Sequence, residues 1–198
     1  TYNILFDIVK HLKKINKVKS QFPSDWNLPN VYLLHGSLSD DDMNKLYNHP
    51  KIKAFVSLTH GEGFGRPLLE ASMTGLPVVV TNWSGHLDFL DKNNTILLGG
   101  ELKKVPESQV WKDIIIPESQ WFNVNETQTY KALNYVFKNI NEVTLRAKNL
   151  MKINRDKFTL SKMVDKLDDI VTEKTSQMST QVGLQLPKLK KVGDKNLI

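Results

Sequence analysis

The stretch Lys53–Leu90, KAFVSLTHGEGFGRPLLEASMTGLPVVVTNWSGHLDFL, decides the fold. It reads as strand, glycine-rich loop, short helix, strand, loop and a second short helical turn. Lys53–Thr59 is a strand, and Phe55, Val56 and Leu58 are too continuously apolar for a one-sided sheet. Pro67 suits a first helical turn, where its missing N–H costs nothing. Gly75 suits the residue just past the helix end, and Pro77 prevents continuation. Val78–Val80 is a β-branched run and the clearest strand in the chain. HLDFL then forms a short helical segment after the Thr81–Gly85 turn.

Working outward, Asn3–Lys19 has helical apolar spacing with lysines on its other face. Residues 20–30 form a loop, and Val31–His35 reads as a buried strand. Ser39 is a fitting N-cap for a helix to Asn48, whose first turn holds Asp40, Asp41 and Asp42. Met43, Leu46 and Tyr47 are its buried stripe. Helices alternating with buried strands predict an α/β domain: a Rossmann-like parallel sheet flanked by helices.

Downstream, Thr95–Leu98 and Val110–Pro117 read as short strands in an otherwise irregular region. Trp83, Trp111, Trp121 and Phe122 read as an apolar cluster covering a long loop rather than a ligand platform. Asn125 with Gln128 resembles a capping box before a helix burying Leu133, Val136, Phe137 and Ile140. A helix near Glu142–Arg155 buries Val143, Ala147, Leu150 and Met151. Thr159 caps another, with Phe158 and Met163 as a hydrophobic staple and a stripe of Leu160, Met163, Val164, Leu167 and Val171. The expected domain is 1–173, and 174–198 is a polar and basic tail.

The bulk numbers exclude several classes. With 198 residues and 40% hydrophobic content the chain can bury a core. It has no cysteine, so no disulfide, thiolate metal site or cysteine nucleophile, which fits a reducing, cytoplasmic location. No apolar run approaches the roughly 18 residues of a membrane span. The net charge of +6 includes Lys10, Lys13, Lys14, Lys17 and Lys19. Such a run is a solvated helix face or a peripheral contact with anionic lipid, and no nucleic-acid motif accompanies it. Thr1 in place of Met is read as a hint of truncation.

A glycine loop between a buried strand and a helix start is a place for anions. Gly61, Gly63 and Gly65 allow close backbone approach. Their spacing is neither the dinucleotide fingerprint nor a P-loop. Glu62 and Glu70 would repel phosphate but can accept hydrogen bonds from sugar or ribose hydroxyls. The plainer alternatives are a solvated loop charge for Glu62 and a favourable dipole placement for Glu70.

The full pattern is more specific. Glu62-Gly63-Phe64-Gly65, Pro67, Glu70-Ala71, then Gly75, Pro77 and Val78 match an E-x7-E motif in its GFG-x-P-x-x-E-A and G-x-P-V-V setting. That resembles the retaining GT-B glycosyltransferases of glycosyltransferase group 1 (family 4), over residues 3–172. The resemblance implies the C-terminal, donor-binding half of an enzyme moving a sugar from a nucleotide-diphosphate sugar to an unknown acceptor, with retention. It implies Glu70 on the ribose hydroxyls, Glu62 as the catalytic residue beside the donor sugar, and Gly63, Phe64 and Gly65 amides on sugar and phosphate. Gly61 is taken with them, and Ser84 and Gly85 are expected near the cleft through their backbone. His60 either hydrogen-bonds the donor or is a packed histidine, and Arg66 either reaches a phosphate or faces solvent. No metal or other cofactor is expected.

Two departures stand out. The family's phosphate-binding Arg and Lys lie near a first strand that this chain is expected to lack. The N-terminal acceptor-binding domain, the expected partner, is also missing, so the isolated chain is expected to be inactive. The rival readings are a non-catalytic nucleotide-sugar-binding module, another GT-B enzyme such as a sugar epimerase, and an interaction domain using the basic tail.

Overall fold

The computed structural model describes residues 2–176. The chain divides into two compact units, with the boundary after Met43. Most of the expected tail, from residue 177 on, lies outside the described residues.

The first unit holds α1 (Tyr2–Lys19) and the start of α2 (Asp40–Tyr47). Ser20 ends α1 by donating its amide to Asn16 and its hydroxyl to the Lys17 carbonyl, at 2.9 Å each. The loop beyond stacks Phe22 on Trp26 at 5.7 Å. Ser39 caps α2 as the sequence predicts: its Oγ accepts from the Asp42 amide at 3.1 Å and donates to Asp42 Oδ2 at 2.7 Å. Val31–His35 corrects the reading of a buried strand. These residues are irregular and exposed, Tyr32 at 87%. An extended segment without a ladder partner leaves its amides to water, and among the described residues 31–35 has no such partner.

The second unit carries the sheet. β1 (Phe55–Ser57), β2 (Val78–Thr81) and β3 (Ile96–Leu98) lie side by side in that order, all parallel. Phe55 is opposite Val78, and Val79 is opposite Ile96. Every residue of β2 is buried, as its β-branched run requires of a central strand. β1 is a correction in part: Val56 and Leu58 are exposed, so this strand alternates instead of being covered on both sides.

α3 (Arg66–Met73) joins β1 to β2 and packs on α5 (Ile140–Lys157). Gly75 follows α3 at φ +77, and its amide returns to the Ser72 carbonyl at 3.1 Å. α4 (Glu126–Lys138) begins at Asn125, whose Oδ1 accepts the Gln128 amide at 2.9 Å, and packs beside β3. Val79, Leu98, Val136 and Val143 form a buried cluster joining β2, β3, α4 and α5. Phe137 and Leu133, expected inside, are exposed, Phe137 at 83%. The inward arc of α4 is narrower than its apolar content and centres on Val136.

Buried Asn154 of α5 is a polar tie in this apolar layer. Its amide nitrogen donates to Ser72 Oγ at 2.8 Å and to the Phe89 carbonyl at 3.2 Å. Arg155 donates to the Met73 carbonyl at 2.7 Å, closing the negative end of α3. Arg146 reaches the carbonyl of Asn93 at 2.6 Å, fixing the approach to β3.

Two expectations fail between β3 and α4. Val110–Pro117 is no strand: it is a tight turn closed by one bridge between Trp111 and Ile115, with Asp113 at φ 64. The region instead holds an antiparallel hairpin, β4 (Gly100–Lys104) with β5 (Gln120–Val124). α6 (Leu160–Ser176) begins with Thr159 Oγ1 accepting the Lys162 amide at 3.2 Å. Its stripe is not buried: Leu160, Met163, Val164, Leu167 and Val171 are all exposed. Nor do Phe158 and Met163 form a sheltered staple. Met163 is exposed, and Phe158 packs edge-on against Phe89 at 5.9 Å. Among the described residues no helix is long and apolar enough to cross a membrane.

Candidate functional site

The carboxyl end of β1 runs through His60–Gly65 into α3, so the glycine loop sits at a strand end and a helix start together. Gly65 is buried at φ +86 and serves as the N-cap. A β-carbon there would stand 3.0 Å from Leu68 and 3.3 Å from the His86 side chain, so only glycine fits. Its carbonyl accepts the amides of Leu68 and Leu69 at 2.9 and 3.2 Å. Among the described residues, the amides of Gly63, Phe64, Gly65 and Arg66 find no protein acceptor. Consecutive unpaired donors at the positive end of a helix are the physical requirement for holding an anion. A β-carbon on Gly63 would meet nothing within 4 Å, so the backbone fronts open space at this α-carbon.

The loop is held from the side by the turn after β2. The Glu62 amide donates to Ser84 Oγ at 2.9 Å, the Ser84 hydroxyl donates to the Glu62 carbonyl, and the Gly85 amide reaches that carbonyl at 3.0 Å. A β-carbon on Gly85 would overlap the Gly63 carbonyl. The two loops therefore lie backbone against backbone. Glu62 itself is half-buried. Phe64 is partly exposed and its ring packs on Phe89 at 5.1 Å, anchoring the loop to the core.

Glu70 lies one turn into α3. Its Oε1 takes the Arg66 Nε at 2.9 Å, with the Arg66 side chain 80% exposed. An i,i+4 pair so open to water contributes little stability, about 0.3–0.5 kcal/mol. Its effect is to orient both side chains on the face of the helix start. Tyr47, at the end of α2, belongs to the same surroundings. Burial first and the Glu70 carboxylate second push its hydroxyl above the ordinary tyrosine value, with Arg66 pulling the other way.

The family model described as "Glycosyl transferases group 1" matches residues 17–116, half of the chain, and includes the loop, both glutamates and the Ser84 turn. The chain belongs to the group 1 glycosyltransferases. It is 32% identical over 110 residues to the capsular polysaccharide biosynthesis glycosyltransferase CapM of Staphylococcus aureus. That match covers 54% of this chain and 27% of the relative, so the chain spans about a quarter of the relative's length.

In this group 1 glycosyltransferase chain the sequence-derived residues fall in two sets. Glu62, Gly63, Phe64, Gly65, Arg66 and Glu70 follow one continuous loop and helix start. Gly61 is less constrained; a β-carbon there would make only ordinary contacts, the nearest with Ser84 Oγ at 3.6 Å. His60 is exposed and is held from one side. It stacks on Trp121 at 4.7 Å, and its Nδ1 donates to the Phe122 carbonyl at 2.8 Å. That bond puts any remaining capacity on Nε2. The expected aromatic cluster holds in part: Trp83 stacks on Phe122 at 6.1 Å and abuts Gly61, whereas Trp111 is 64% exposed in the turn it shares with Ile115.

Tyr47 and Asn154 were not legible as site-supporting residues. Neither was buried His86, whose Nε2 donates to the Thr81 carbonyl at 2.7 Å while its Cβ side walls Gly65. Among the described residues no three His, Cys, Asp or Glu side chains converge as a metal group.

Proposed function

We propose that this chain is the donor-binding half of a two-domain glycosyltransferase of GT-B architecture, which moves a hexosyl group from a nucleoside-diphosphate sugar to an acceptor with retention. The observation that carries the reading is the row of unpaired amides from Gly63 to Arg66 lying between two carboxylates. A nucleotide sugar presents diphosphate oxygens flanked by hydroxyls on both sides, the ribose on one and the sugar on the other. The amide row and the dipole of α3 take the diphosphate, and their stabilisation grows as charge builds on the leaving group. Glu70 accepts the ribose hydroxyls, and Arg66, its partner, stands ready for the phosphate beside it. Glu62 accepts from the donor sugar near the breaking bond. His60 Nε2 and the Gly61 backbone complete the wall on the sugar side.

The co-substrate is the nucleotide sugar, and the reaction is assigned no metal. The opposite wall of the cleft, with the acceptor, belongs to an N-terminal domain, so residues 1–173 act as the donor domain and are inactive alone. The name of the staphylococcal relative places that protein in capsular polysaccharide biosynthesis, and carbohydrate biosynthesis is the corresponding role proposed here.

The test is turnover by the full-length protein on a panel of nucleotide sugars. Glu62→Ala should abolish transfer and donor hydrolysis while calorimetry still detects donor binding. A variant that turns over like the wild type removes Glu62 from the chemistry. Absence of binding to any nucleotide sugar refutes the enzyme assignment as a whole.

A further inference from the structure

We infer that Ser84 is a positioning residue for Glu62, acting through its hydroxyl on the Glu62 backbone. This rests on the reading of Glu62 as the residue beside the donor sugar. Ser84 is 22 positions away in sequence, on the turn after β2, yet it both accepts the Glu62 amide and donates to the Glu62 carbonyl. Gly85 adds a second donor to that carbonyl at 3.0 Å. Both polar groups of the Glu62 backbone are thus satisfied from a different loop. The orientation of the Glu62 peptides sets where its carboxylate points and where the following amides face.

The backbone of Ser84 makes the same point. It sits at φ 91, a region that L residues avoid and glycine enters freely. A glycine would satisfy that conformation without strain, but it would leave the Glu62 amide without its acceptor. The side chain at this position is therefore useful for its hydroxyl and not for the turn. Ser84 holds the reactive loop in register and needs no contact with the substrate itself.

Ser84→Gly separates these roles, because it removes the hydroxyl and keeps the φ. In the full-length enzyme the melting temperature should shift by only a few degrees, because relief of the positive φ offsets much of the loss of the two hydrogen bonds. kcat should fall roughly 10- to 100-fold, the scale of a small misplacement of a catalytic group, with the donor dissociation constant changed less than about threefold. The Glu62 amide should be protected from hydrogen exchange in the wild type, and in Ser84→Gly it should exchange at a rate close to that of the Gly63 amide. Wild-type kcat in Ser84→Gly, or a loss confined to donor affinity, overturns the inference. So does a wild-type Glu62 amide that exchanges as fast as Gly63, a measurement that needs no variant. Glu62→Gln measured alongside separates the two claims. If it loses turnover and Ser84→Gly does not, only the role of Ser84 falls. If Glu62→Gln keeps turnover, the reading of Glu62 falls and this inference with it.

Discussion

Two glycines of the loop region should fail in opposite ways when given a methyl group. In Gly85→Ala the new β-carbon overlaps the Gly63 carbonyl, and backbone on both sides must move to restore contact distance. That movement strains the hydrogen bond that the Gly85 amide donates to the Glu62 carbonyl, now 3.0 Å. Overpacking costs about 1–3 kcal/mol and the weakened hydrogen bond about 1 more, so the loss is about 2–4 kcal/mol. For a chain of this size the melting temperature should drop roughly 5–15 °C. Gly63→Ala meets nothing within 4 Å. Its stability should stay within about 0.5 kcal/mol of the wild type. The same methyl, however, stands at the first free amide and should weaken donor binding at least about tenfold, or 1.4 kcal/mol. Thermal melts and calorimetric titration of the two variants give both axes. A Gly63→Ala protein that binds donor normally, or a Gly85→Ala protein that melts with the wild type, refutes the assignment of open and closed sides to this loop.

Other consequences reach further from the loop. Asn154→Leu removes two buried hydrogen bonds, to Ser72 and Phe89, and should cost about 2–3 kcal/mol in a denaturant titration; an unchanged midpoint would show that the tie is dispensable. The raised Tyr47 hydroxyl gives stability that is fully present below its unfolded value near pH 10 and is lost as the pH rises through its higher folded value. Tyr47→Phe should therefore remain folded further into alkali than the wild type, as followed by circular dichroism, and equal alkaline unfolding would contradict this. Arg66→Ala should leave the melting temperature nearly unchanged, since its pair with Glu70 is open to water, yet weaken donor binding severalfold as salt-sensitive calorimetry would show.

The core of the fold was legible where local pattern and tertiary demand agree. Val78–Val80 is β-branched and entirely buried, and Pro67 and Gly75 punctuate α3 as their backbone chemistry requires. Where an apolar stripe needs a cover, the pattern announces the need but not its fulfilment. Val31–Leu34, Phe137 and the α6 stripe are apolar and exposed for that reason. The β4–β5 hairpin escaped because all five residues of β4 are exposed and GELKK carries no alternation of apolar and polar side chains. At the site, Glu62 and Glu70 stood out by motif. Ser84 was expected near the cleft only through its backbone and Asn154 not at all, because the weight of their side chains comes from bonds spanning 22 and 82 positions. A single serine or asparagine carries no local sign of such reach.

The most direct test of the central claim is calorimetric titration of the full-length protein with its nucleotide-sugar donor, before and after Glu70→Ala. Loss of a carboxylate that accepts two ribose hydroxyls should weaken binding roughly 10- to 100-fold, at about 1.5–3 kcal/mol for hydrogen bonds to a charged group. Binding that is unchanged in Glu70→Ala would contradict the placement of the nucleotide on this loop and helix.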